Sequence, residues 1–237
     1  MTKGYDNIPQ LYQVALDLPF YEGGGAAGLV PLAHDIARKE SVLDHTMALV
    51  GTPTWVQVAL SNLTVLQFNS ATPDRLTLSA VNSADLAYTT EPFSGLAWVY
   101  PHAVGGTIMS KWTNVTSGWI FITLVTGEIQ IITETGGPHI DISGSPAGSL
   151  VVNTWQLVGF SRLGNSVKIY KNGADITSLV GVHADPAADA GLFYIACDSA
   201  IAQSYDGLIW RPRIFNRQLS ATEFKELFEM ERGLFGV

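Results

Sequence analysis

Two carboxylates share one strand-forming run, Glu128-Ile-Gln-Ile-Ile-Thr-Glu134, and paired acids are what general acid-base or nucleophilic attack on a glycosidic bond requires. Their spacing decides against that chemistry. Six residues of extended chain span about 20 Å at about 3.3 Å per residue, whereas retaining hydrolysis needs carboxyls about 5–5.5 Å apart and inverting hydrolysis about 6.5–9.5 Å. The run reads as a strand with solvated acids at its ends. The histidines, His34, His45, His102, His139 and His183, are scattered, form no His-Glu-x-x-His or Cys/His cluster, and read as loop residues. Gly144-Ser-Pro-Ala-Gly148 reads as a loop, not as a nucleophile elbow. Cys197 is the sole cysteine, so no intrachain disulfide is possible, and it reads as a buried apolar thiol. What remains is binding chemistry. Aromatic rings stack on the C–H faces of sugars, and Trp112, Trp119 and Tyr205 lie near strand ends or turns where they would line a ligand site. Core packing is the competing role for Trp112 and the expected one for Trp98 and Trp155.

These side chains must be positioned by strands. Alternating or β-rich runs predict strands at 15–20, 55–59, 64–68, 76–79, 93–100, 107–111, 119–125, 128–133, 155–162, 167–170, 192–196 and 209–215. Glycines fall between these runs, where turns need them. Asn172-Gly173 is a strong hairpin signal, because both turn residues must accept positive φ. Ser220 and Glu223 have capping-box spacing, which predicts a helix over 221–232 with Phe224, Leu227 and Phe228 on one face and Gly233 at its end. The apolar tail Leu234-Phe235-Gly-Val237 either packs down or meets another subunit. Residues 1–14 and 21–54 are the least regular. Many short strands with regular punctuation predict one all-β domain over 1–237, a two-sheet antiparallel jelly-roll sandwich with a short C-terminal helix.

Composition narrows the partners. A net charge of -8 opposes attraction to phosphate backbones and anionic lipid surfaces, so nucleic acid is not an expected partner. No run approaches 18 apolar residues, so no membrane-inserted helix is expected. The first nine residues lack a basic n-region and an apolar stretch, so no secretion leader is expected, and Asn62-Leu-Thr64 and Asn114-Val-Thr116 read as coincidental sequons.

A set of short motifs stands in one order along the chain: Leu18-Pro-Phe-Tyr-Glu22-Gly23 and then Asp35, a strand ending Trp98-Val99, Ser110-Lys111 at another strand end, Asn153-Thr-Trp155, Tyr170-Lys-Asn-Gly173, and the closing strand and helix. In this order the chain resembles a laminin G-like domain of the concanavalin A-like lectin/glucanase superfamily. The resemblance implies a jelly roll that binds carbohydrate or protein, sometimes with a structural calcium, for which Glu22, Asp35 and Asp206 would be the ligands. Two departures are notable. The family's closing strand commonly reads Gly-x-Ile-Asp-Glu-Val, but here Gly207-Leu-Ile209 continues as Trp210-Arg211-Pro212, and that proline suggests an edge or a bulge. Related glucanases carry Glu-x-Asp-x-Glu on their active strand, but Gln130 stands at the middle position here. The expected function is therefore a non-catalytic recognition or assembly module binding a glycan or a neighbouring protein. The apparent lack of a leader and the apolar tail suggest a homo-oligomeric particle component, such as a bacteriophage virion or tail protein. The alternative is a soluble or secreted lectin, or a hydrolase of the same fold.

Overall fold

A computed structural model describes residues 13–18, 45, 47–114, 116–137 and 140–237. In chain order the strands are β1 (Val14–Asp17), β2 (Ala48–Val50), β3 (Thr54–Gln57), β4 (Thr64–Phe68), β5 (Arg75–Leu78), β6 (Phe93–Pro101), β7 (Gly106–Thr113) and β8 (Ser117–Thr123). They continue as β9 (Ile129–Glu134), β10 (Ile140–Gly144), β11 (Gln156–Leu163), β12 (Ser166–Lys171), β13 (Ala174–Asp175), β14 (Phe193–Ile195) and β15 (Gly207–Phe215), followed by helix α1 (Ala221–Glu231). Among the described residues they form two antiparallel sheets. One has the order β13-β12-β11-β6-β15-β4-β3, with β1 also on β15, and the other has the order β10-β9-β8-β7-β14-β5-β2. Each strand run expected from the sequence has a counterpart among the described residues, the run at 15–20 through β1, with residues 19 and 20 outside them.

Three further strands escape the pattern for identifiable reasons. β2 lies in the stretch read as irregular, and β13 has only two residues. In β10 the alternation is inverted: Asp141 and Ser143 are buried while Ile140 is exposed. The inward polar groups are satisfied locally, since Asp141 Oδ2 accepts from Ala184 N at 2.8 Å and Ser143 Oγ lies 2.9 Å from His183 Nε2.

Between the sheets lies an aromatic cluster. Phe93 of β6 and Phe160 of β11 meet Trp119 and Phe121 of β8, with ring centroids 5.1–5.8 Å apart in tilted or edge-on contacts, the geometry aromatic quadrupoles favour. Trp119 Nε1 donates to Leu86 O at 2.9 Å, so its one polar atom is satisfied inside.

The outer face of the eight-stranded sheet is roofed by α1 and the tail behind it. The capping box forms as expected: Glu223 N donates to Ser220 Oγ and Ser220 N donates to Glu223 Oε2. The helix ends by tightening into a 3-10 turn over Arg232–Leu234, not at a left-handed glycine. Phe224 stacks on Tyr170 at 3.9 Å, and Phe235 reaches Trp98 and Trp155 at 4.4 Å and Trp210 at 5.5 Å. The apolar tail therefore packs down on its own sheet. Gly159 lets the helix seat, since a Cβ there would lie 2.6 Å from Phe224 Cε1.

Beneath this roof Glu231 is nearly buried. Its Oε2 accepts from Trp98 Nε1 at 2.8 Å and Arg213 Nη2 at 2.7 Å, and its Oε1 from Arg213 Nη1 at 2.9 Å and Arg211 Nη1 at 2.8 Å. Arg211 also donates to the buried Asp17 on β1. Arg211 has φ +50, and the register of β15 against β6 shifts between Trp210 and Arg213, so Pro212 occupies a bulge inside the sheet and not an edge. There β15 also changes partner, from β4 up to Ile209 to β1 from Arg213 onward.

Burial pushes the Glu231 carboxyl up, but the Arg213 and Arg211 guanidiniums outweigh it and hold its pKa below the ordinary value. Its stabilising contribution is then complete above the unfolded-state pKa and lost as pH falls through the lower folded value. Glu231→Gln leaves the buried Arg213 guanidinium without its carboxylate and takes from Arg211 one of its two acidic partners, and should lower unfolding free energy by about 3–5 kcal/mol at neutral pH. Urea denaturation should show this loss shrinking in acid, where the wild-type carboxyl is itself protonated.

Candidate pocket at the end of the seven-stranded sheet

In the seven-stranded sheet, cross-strand register sorts the side chains into rows. Ile131, Phe121, Met109, Ile195 and Leu76 form one row, all in the core. The row beside it points away from the core: Ile142, Ile132, Ile120, Ser110, Tyr194, Thr77 and Ala48, one from each strand. Ile120, Ile122 and Trp112, with Ile132 packed on them, form a second apolar cluster on this outer face.

At one end of the face a pocket of about 430 Å³ opens among the loops. Ile122 belongs to both the outer cluster and the pocket. Val104, Val125, Gly105 and Gly106 supply further apolar wall, while Ser70, Thr126, Glu128, Gln203, Ser204 and Asp206 bring polar atoms. That volume and mixture suit a small organic ligand. Two close approaches set its shape. Gly207, at φ +143, brings the start of β15 against β6 where a Cβ would lie 2.4 Å from Tyr100 O, and His102 N donates to Asp206 O at 3.0 Å. Gly106, at φ +112, admits the 204–205 backbone, which a Cβ would meet at 2.7–2.8 Å.

The polar wall is held in place. Asp206 accepts from Ser70 Oγ at 3.2 Å, and its Oδ1 lies 3.3 Å from His102 Nδ1. Glu128 Oε2 lies within reach of Thr126 Oγ1 at 3.3 Å and Gln130 Nε2 at 3.4 Å. The loop carrying Gln203 is braced by Asp198, whose Oδ1 accepts from Ala202 N and Gln203 N, and it contains Ile201 at φ +57, a strained conformation for a β-branched residue.

The expected site residues fare differently. Asp206 lines the pocket. Glu22 and Asp35 lie outside the described residues, and among the described residues no three His, Cys, Asp or Glu side chains gather as a metal site. Trp119 and Tyr205 are wholly buried and offer no ring face to a ligand, which corrects that expectation. Trp112 is 7% exposed on the outer face, and its Nε1 has no hydrogen-bond partner. Tyr194, half-buried on the same face, was not singled out by the sequence. The acids of β9 do not cooperate: Glu128 precedes the strand at the pocket, while Glu134 at its far end is buried and accepts from Thr116 N at 2.6 Å.

A family model described as the Concanavalin A-like lectin/glucanases superfamily matches residues 75–225. The chain belongs to that superfamily. No curated protein matches it. Among solved structures it is similar to the binding domain of botulinum neurotoxin DC in complex with SialylT, at 14% identity and TM-score 0.64 over 93% of this chain and 52% of that one. The botulinum neurotoxin serotype G binding domain matches at 17% identity and TM-score 0.61, over 81% of this chain and 48% of that one. Domain 4 of AbnA, a GH43 extracellular arabinanase from Geobacillus stearothermophilus, in complex with arabinotriose, matches at 15% identity and TM-score 0.58 over 91% of this chain and 98% of that one. The chain thus spans about half the length of the toxin domains it matches. At these identities the likeness is one of fold.

His183, read from sequence as a loop residue, is also buried, with Nδ1 2.8 Å from Thr133 Oγ1 and Nε2 2.9 Å from Ser143 Oγ. Burial, aided by the Arg162 charge and opposed by Asp141, lowers its pKa to about 4. Protonation therefore favours the unfolded chain, where the pKa is about 6.5. Stability should be complete above about pH 6.5 and fall as pH drops toward 4, by up to about 3 kcal/mol. His183→Gln should flatten this window in urea titrations at successive pH values.

Proposed function

We propose that this domain is a non-catalytic glycan-recognition module whose ligand sits in the pocket bounded by Asp206, Gln203 and Glu128. The observation that carries the reading is the pocket itself. Polar side chains from the loops after β4, β8 and β14 converge over an apolar wall of Ile122, Val104 and Val125. That combination meets the two kinds of surface a sugar presents, hydroxyls and C–H groups. Superfamily membership and the likeness to a domain bound to arabinotriose support a saccharide as the ligand class.

Hydrolysis has little support. The β9 acids lie at opposite ends of a strand, and Gln130 and Ile132 hold the outward positions between them. Assembly into a particle drew its sequence support from the apparent lack of a leader and from the apolar tail, and Phe235 of that tail is spent on Trp98, Trp155 and Trp210 within the same chain.

A glycan array probed with the labelled domain tests the reading. It should retain at least one saccharide class and release no reducing sugar from it. Gln203→Ala, an exposed change, should weaken that binding about fivefold, the worth of a hydrogen bond, and leave the melting temperature in place. Silence across the array would refute glycan recognition, and released sugar would refute the non-catalytic part.

A further inference from the structure

The pocket's charge is as specific as its shape. Glu128 and Asp206 line it, and neither Lys nor Arg does. His102 lies against Asp206, its Nδ1 3.3 Å from Asp206 Oδ1. The chain as a whole carries a net charge of -8, which adds a field of the same sign. Ionised carboxylates only accept hydrogen bonds, so the ligand groups they hold must donate. Sugar hydroxyls donate. A sialic or uronic carboxylate has no proton to give at neutral pH and is repelled by both acids at short range.

The remaining wall completes the fit. The Gln203 amide both donates and accepts, as hydroxyls do. Val125 is 81% exposed beside the pocket mouth, where an aliphatic side chain meets the C–H face of a sugar without the ring that Trp119 and Tyr205 fail to present.

Resting on the glycan reading above, we propose that this pocket selects uncharged saccharides and rejects anionic ones, with Glu128 and Asp206 as the discriminating residues. Calorimetric titration of the full chain with arabinotriose and cellotriose, set against 3′-sialyllactose and trigalacturonate, tests this directly. The tightest neutral probe should bind at least about tenfold more strongly than either anionic one, and the gap should narrow with added salt. Glu128→Gln and Glu128→Lys should shrink the gap stepwise by admitting the anionic probes, with circular dichroism reporting that each variant is folded. The wild-type ratio stands as a test even if a variant does not fold. Anionic probes that bind as well as the neutral ones would overturn the selectivity and leave glycan recognition intact. A failure of all four probes to bind would overturn the selectivity, and array silence would then separate the loss of the wider reading from a poor choice of probes.

Discussion

Glu231 carries a charge into a place water scarcely reaches, and the arrangement of one whole sheet face follows from how that charge is compensated. An unpaired buried carboxylate is costly, so its four hydrogen bonds fix the distance and rotation of α1 over β6 and β15 together. Trp98 both supports the helix through its ring and grips Glu231 through its nitrogen. Arg211 reaches Glu231 and Asp17 at once from a backbone at φ +50, a conformation that costs of order 1 kcal/mol for a residue with a Cβ. The ion cluster admits one placement. The aromatic seats of Phe224 on Tyr170 and Phe228 on Trp98 agree with that placement.

The same bulge explains the most visible departure from the superfamily's closing strand. Trp210 and Arg211 stand where acids are common, and here that position has become part of the helix seat. The start of the same strand, from Asp206 and Gly207, builds the pocket wall. One strand thus serves packing at its middle and recognition at its beginning, and the stiffness of the first supports the geometry of the second.

The frame was legible because its signals are local. Alternation marks the strands, Asn172 at φ 49 and Gly173 at φ 78 make the turn their types require, and Ser220 and Glu223 close their box. The pocket was not legible. Ser70, Glu128, Gln203 and Asp206 come from separate loops, and only register and loop path bring them together. The aromatic expectation erred for a definable reason. Nearness to a strand end says little about facing: Trp119 shares parity with Phe121 and turns inward, while Trp112 shares the outer face with Ile120 and Ile122. Tyr205 was beyond any periodicity, since it precedes β15 and is trapped by Gly106. His183 was hidden by the inverted polarity of β10, whose Ser143 it contacts.

The roof over Trp98, Trp155 and Trp210 is made of residues that follow every strand in chain order. During synthesis the sheets can therefore pair before this aromatic surface has any cover. Without α1 and Phe235 that surface leaves three indole rings open, the kind of apolar surface that makes partly folded chains prone to associate. Docking of α1 and Phe235 is then what takes that surface out of water.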